Sequence, residues 1–164
     1  MTGTEALLGH NKQYAASFRQ GGKPMPPARR VAVVTCMDAR LHPESFLGLE
    51  IGDAHVIRNA GGLVSDDALR SLIISSHLLG TREYLVIHHT DCGMLGFSND
   101  DLRRKLAAEG ADASDIDFLP FGDLEASVRE DVERIRQSPM IPDDIAVSGY
   151  IYDVNTGALA PVEG

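Results

Sequence analysis

The chain has 164 residues, of which 43% are hydrophobic and 24% charged, the composition of a soluble globular protein with a core of its own. Its formal net charge of -9 repels phosphate backbones, which argues against nucleic acid as a partner. Its apolar runs fall far short of the roughly 20 residues that span a bilayer, so no membrane partner is expected.

The opening Met1-Thr2-Gly3-Thr4-Glu5 lacks the basic start and long apolar core of a signal peptide, and a cytoplasmic protein is expected. Leu7, Asn11, Tyr14 and Phe18 recur at helical spacing, with Leu8 and Ala15 alongside, and predict a helix over 5–19. Gly21-Gly22-Lys23-Pro24-Met25-Pro26-Pro27 forbids helix and makes an extended connector. An apolar-faced helix on so long a tether either folds back on its own sheet or, the favoured reading, reaches across a partner subunit.

Val31-Ala32-Val33-Val34 reads as a buried strand over 31–35, and Pro43 suits the first turn of a short helix over 43–49. Ala54–Arg58 is a second strand, closed by Asn59-Ala60-Gly61-Gly62, whose glycines permit a tight backbone approach. Ser65 caps a helix whose apolar side is Leu69, Leu72, Ile73 and Leu79 and which Gly80 ends. A third strand spans 83–88. A helix over 100–109 is capped by Ser98 or Asn99, and residues 111–122 read as a polar surface loop. Asp123 starts a helix to about Gln137. Strands at 145–153 and 158–162 follow, joined by the hairpin signal Asn155-Thr156-Gly157. This alternation predicts an α/β fold: a mostly parallel central sheet flanked by helices, with an antiparallel edge strand or C-terminal hairpin. One domain covers 1–164, with a helical arm and Pro/Gly connector over 1–29 and an α/β core over 30–164.

Two strand ends carry the chemistry. Cys36-Met37-Asp38-Ala39-Arg40 follows the first buried strand and His89-Thr90-Asp91-Cys92 follows the third, which brings both segments to one edge of one sheet. The chain has two cysteines, and both fall in these segments. A disulfide between them is disfavoured in a reducing cytosol; two unrelated buried thiols are the other plain alternative. We read Cys36, His89 and Cys92 as the ligands of one zinc ion, whose open fourth place marks catalysis rather than structure. Neighbouring strand residues face opposite ways, so only one of His88 and His89 faces the metal. The three-residue step to Cys92 favours His89 and leaves His88 to the core or to the support of the site. Two thiolates and a neutral imidazole cancel the charge of zinc, which makes it a weaker acid toward water than zinc held by three imidazoles. A carboxylate that orients the water then helps, and Asp38 is close in sequence. Arg40 can hold Asp38 by a two-pronged pair and so decide whether water or Asp38 takes the fourth place. The plain alternative is a surface ion pair. Asp91 reads as a loop carboxylate, and His10, His42, His55 and His77 as surface or packing residues, with His42 a remote candidate for proton transfer.

C-M-D-A-R at 36–40, V-I-R-N-A-G-G at 56–62 and H-T-D-C-G at 89–93 together resemble the β-class carbonic anhydrases, with a length similar to the short bacterial members. Gly62 stands where many members have Asn, and the pocket's aromatic residues cannot be placed from the sequence. The resemblance implies reversible hydration of carbon dioxide to bicarbonate and a proton by zinc-bound hydroxide. It implies one zinc per subunit on Cys36, His89 and Cys92, and Asp38 paired with Arg40 as catalytic residues, with Asp38 a conditional fourth ligand. It also implies a homodimer or dimer of dimers with the N-terminal helix on the partner. Gly61 is a candidate at the substrate pocket. The alternatives are a hydrolase of carbonyl sulfide or carbon disulfide from the same family and a non-catalytic zinc-binding module.

Overall fold

The computed structural model describes residues 2–164 and is built on one five-stranded sheet. Met1, with which the predicted arm begins, lies outside the described residues. The strands are β1 (Val31–Cys36), β2 (Ala54–Asn59), β3 (Glu83–His89), β4 (Ala146–Tyr152) and β5 (Leu159–Val162). They lie in the order β2-β1-β3-β4-β5. The first four run parallel and β5 pairs antiparallel with β4, so the predicted mostly parallel sheet with an antiparallel edge is the observed one.

The helices are α1 (Gly3–Ser17), α2 (Pro43–Phe46), α3 (Asp66–Leu79), α4 (Asn99–Ala108) and α5 (Leu124–Arg136). Their ends follow the local chemistry read above. Thr2 and Glu5 form a capping box on α1, and Pro43 opens α2. Ser65, Ser98 and Asp123 accept backbone N–H groups at the starts of α3, α4 and α5, and Gly80 closes α3 in a left-handed conformation.

Ala32 and Val34 of β1 stand level with Tyr84 and Val86 of β3 on one face of the sheet. Onto that face pack Ala68 and Leu72 from α3 and Val128, Val132 and Ile135 from α5. The approach of α5 to β4 is close enough to require Gly149: a Cβ there would lie 2.5 Å from Val128 Cγ1. At the C-terminal edge of the strands a second apolar cluster gathers Cys36, Leu41, Cys92 and Met94 with Phe46, Phe97, Phe121 and Tyr152. α1 contributes to neither cluster: it buries none of its residues, and Leu7 is 71% exposed. The connector joins the core at its far end, where Ala28 N and Arg29 N donate to Gly52 O and Asp53 O.

The segment predicted as a surface loop over 111–122 is irregular but not wholly superficial. Ala113 is buried, and Phe121 folds inward to stack on His88 with ring centroids 5.6 Å apart. Phe118-Leu119-Pro120-Phe121 is an apolar run, but it is short and broken by proline, so no helix or strand periodicity in the sequence announces this contact.

Candidate metal centre

Adjacent parallel strands bring the two segments together. Cys36 ends β1, His89 ends β3, and Asp91, with φ of 54°, turns the chain so that Cys92 comes back beside them. The ligand atoms of Cys36, His89 and Cys92 all lie within 4.8 Å of one another, and all three residues are buried. Strand alternation sorts the two histidines as expected. His88 faces α5, where Nδ1 meets Ser127 Oγ at 2.8 Å and Nε2 meets Asp131 Oδ2 at 3.0 Å and Gly62 O at 3.1 Å. His89 faces the other way, into the cluster.

His89 Nδ1 lies 2.8 Å from Thr90 O, so that nitrogen is the donor and Nε2 is left with its lone pair. Thr90 is itself fixed, its N–H donating to Tyr152 O at 2.9 Å and its Oγ1 accepting from Val154 N at 3.0 Å. Nε2 of His89 is buried and has no hydrogen-bond partner among the described residues. A buried nitrogen without a partner is costly. It stands among the ligand atoms of two thiols, where its lone pair is suited to a metal ion. Two sulfurs and one imidazole nitrogen are a donor set that fits zinc, with three protein ligands and one place open.

The two sulfurs are poised in opposite ways. The hydrogen bond from Cys92 holds the Cys36 thiol well below its ordinary pKa, against the effect of burial, and the backbone N–H groups of Asp38 and Gly61 add to this. Cys92 is pushed the other way by the same contact, with burial adding to it. Burial disfavours a charged His89, yet the neighbouring Cys36 thiol and the Thr90 carbonyl outweigh that and raise its pKa. The Gly61 N–H reaches Cys36 because Ala60–Gly62 forms a turn of 3-10 helix pressed against the end of β1. Gly62, at φ of 68°, leaves no room for a side chain: a Cβ would lie 2.7 Å from Cys36 N. Gly61 lies instead against Met94 and Phe121, where its Cβ would be 3.0 Å from Met94 Cγ, at the wall of the apolar cluster.

Asp38 and Arg40 form the two-pronged pair expected of them. Arg40 Nε donates to Asp38 Oδ1 at 3.0 Å and Nη2 to Oδ2 at 2.8 Å, and the Arg40 backbone N–H also reaches Oδ1 at 2.8 Å. Arg40 therefore holds the Asp38 carboxyl far below the usual carboxylate range, while Asp38 raises the guanidinium's own pKa. Asp38 Oδ2 is 3.7 Å from His89 Nε2, which puts the carboxylate next to the cluster but not in it.

Asp91, read from the sequence as a loop carboxylate, has a partner: Arg40 Nη1 donates to its Oδ2 at 2.8 Å, and Nη2 to its carbonyl at 2.9 Å. Arg40 thus ties the two loops to each other. No sequence signal marks this, because the two residues are 51 positions apart and neither motif contains both. The remaining histidines are packing or surface residues. His55 meets Ser75 Oγ at 2.7 Å, His77 meets Met140 O at 2.8 Å, and His42 meets Ser45 Oγ at 2.7 Å.

Known proteins resemble this chain over most of their length. Residues 31–159 match the sequence model of the family described as Carbonic anhydrase. Beta-carbonic anhydrase 1 of Mycobacterium tuberculosis is 44% identical over 162 residues, which cover 99% of either chain. A solved carbonic anhydrase from Streptococcus mutans is 49% identical and superimposes with a TM-score of 0.95, again over 99% of either chain. A carbon disulfide hydrolase from an Acidianus species is 35% identical over 161 residues, 84% of this chain and 79% of that one. This chain belongs to the carbonic anhydrase family, in its β class.

Proposed function

We propose that the chain is a carbonic anhydrase that interconverts carbon dioxide and bicarbonate at a zinc site made by Cys36, His89 and Cys92, one ion per subunit. The observation that carries this reading is the buried, partnerless Nε2 of His89 facing two thiols, with an Arg-held carboxylate 3.7 Å away. When bound, zinc supplies a Lewis acid that lowers the pKa of a coordinated water toward about 7.

The chain's own residues do the rest. Thr90 O fixes the tautomer of His89 so that Nε2 offers its lone pair. Backbone N–H groups of Asp38 and Gly61 steady the Cys36 sulfur, and that of Met94 steadies Cys92. Asp38, kept anionic by Arg40, can accept a hydrogen bond from a water at the open place and orient it toward the substrate. Arg40 occupies both oxygens of Asp38, which keeps the carboxylate from taking the fourth place itself. Leu41, Met94, Phe121 and Tyr152 line an apolar cluster beside the sulfurs, a dry resting place for a neutral linear molecule such as carbon dioxide. Gly61, at the wall of that cluster, lets Met94 and Phe121 pack closely against the turn by having no side chain.

The test is stopped-flow hydration by the zinc-loaded protein across about pH 6 to 9. Turnover that rises with pH is expected; no rate above buffer sinks the proposal. A second reading, hydrolysis of carbon disulfide, draws support from the 35% identical hydrolase. Sulfide release exceeding carbon dioxide turnover would select it.

The same reading covers the assembly. α1 carries Leu7, Leu8 and Tyr14 in the open, with Phe18 just past its end, on a connector of glycine and proline, which supports a homodimer in which each arm lies on the other subunit. Residues 2–29 are then the arm and 30–164 the core. No helix among the described residues is long and apolar enough to cross a membrane. Two thiols that must stay reduced to ligate support residence in the cytoplasm.

A further inference from the structure

Arg58 stands near the C-terminal end of β2, one residue before the last paired position of the β1–β2 ladder, Cys36 with Asn59. Past that pair only one more backbone bond follows, from Met37 N to Asn59 O at 2.8 Å. The loop that bears Asp38 and Arg40 then leaves the sheet. Arg58 continues the ladder with its side chain: Nε donates to Cys36 O at 2.9 Å and Nη2 to Asp38 O at 2.7 Å. These carbonyls belong to the residue that bears one sulfur of the metal cluster and the residue that bears the carboxylate beside it. Asp38 O already accepts from Leu41 N at 3.0 Å, so Arg58 takes its second lone pair.

Arg40 cannot do this work. It holds the Asp38 side chain, but it sits on the same loop, two residues away, and its other partner, Asp91, is on a second loop. The Asp38–Arg40–Asp91 group could therefore shift as a body. The Arg58 fork is what ties its backbone to a strand. We infer that Arg58 is a positioning residue for the hydration reaction: by bridging the carbonyls of Cys36 and Asp38 it keeps the carboxylate beside the open place and off the metal. This rests on the zinc reading above and adds a residue to it. A planar fork reaches two carbonyls at once, whereas a lysine ammonium offers a compact point charge that satisfies one.

The test loads wild type, Arg58→Ala and Arg58→Lys with cobalt(II), whose visible bands report its ligand set and geometry. The kcat and KM of the zinc forms are measured alongside. In Arg58→Ala the cobalt bands are expected to differ from wild type at about pH 8, and kcat to fall about 10-fold. KM for carbon dioxide is expected to stay within about 2-fold, because the fork touches no substrate. Arg58→Lys is expected to fall between the two on both counts. Cobalt bands that coincide with wild type in both variants overturn the inference, even if the melting temperature drops, because a merely structural role would lower stability and leave the metal's surroundings alone. Should Arg58→Ala fail to fold, Arg58→Lys carries the comparison with the same two outcomes. A wild type that hydrates no carbon dioxide overturns the proposed function and leaves the cobalt comparison standing.

Discussion

At the scale of single residues, the site separates holding the metal from using it. Cys92 offers its sulfur to the cluster, whereas Asp38 is held outside it by Arg40. Cys92→Ser is therefore expected to lose zinc on dialysis, and Asp38→Ala to keep it while turnover falls by about 10²-fold, the scale of a lost proton-handling group. Metal analysis beside a stopped-flow assay checks both; zinc loss from Asp38→Ala would make that carboxylate a ligand instead. The pair also has a pH signature. Arg40 lowers the folded-state pKa of Asp38 below its unfolded value of about 3.9, so the pair's stabilisation is full above that value and is lost as pH falls through the folded one. Arg40 is 46% exposed, and solvent screening keeps the effect small. In urea unfolding of the zinc-free proteins, the advantage of wild type over Asp38→Ala is expected to hold from about pH 7 to 5 and to narrow below about 4. A gap that widens toward acid contradicts the assignment. The five candidate residues were legible because each lies within a few positions of a β-strand end. Arg58 and the Arg40–Asp91 link were not. They depend on which strands are neighbours and in what register, which no local pattern states.

Among the elements, capping residues and apolar runs foretold the boundaries to within a few positions, because those signals act on their own segment. What packs on what was less legible. Phe121 reaches His88 from a polar stretch, and Phe46 stacks on Tyr152 with centroids 4.4 Å apart, although 106 positions separate them and aromatic residues are 5% of the chain. α1 is the reverse case: its apolar spacing is plain in the sequence, but it buries none of its residues against this chain. A helix of 15 residues is marginal by itself in water, so this one needs a docking surface to persist. Leu7→Asp combined with Phe18→Asp removes apolar area from that face without touching the core. Light scattering on the eluting protein is expected to give half the mass of wild type, with the sheet's far-ultraviolet signal retained. An unchanged mass would mean that the arm does not join the subunits.

For the molecule as a whole, the question is how much of the fold depends on the metal. In small zinc domains the ion supplies the folding energy, and removing it unfolds the chain. Here the sheet closes without help from the site. Ala32, Val33, Val34, Val86 and Ile87 are fully buried along β1 and β3, and α3 and α5 pack on strand segments that precede Cys36 and His89. The cluster sits at the edge this core creates. What a bound ion would change is local: it would give His89 Nε2 a partner and offset charge on the two buried sulfurs. Binding to the folded state alone adds about 4 kcal/mol of stability when the free ion is a thousandfold above its dissociation constant. For a chain of this length that corresponds to a melting temperature higher by on the order of 10 °C. Chelation should therefore lower the melting temperature by that amount and abolish hydration, while the far-ultraviolet spectrum at 25 °C stays that of the folded protein; re-addition of zinc should restore both within a titration of one ion per chain. A spectrum that collapses on chelation would mean that the metal, rather than the core behind it, holds the two strand ends together.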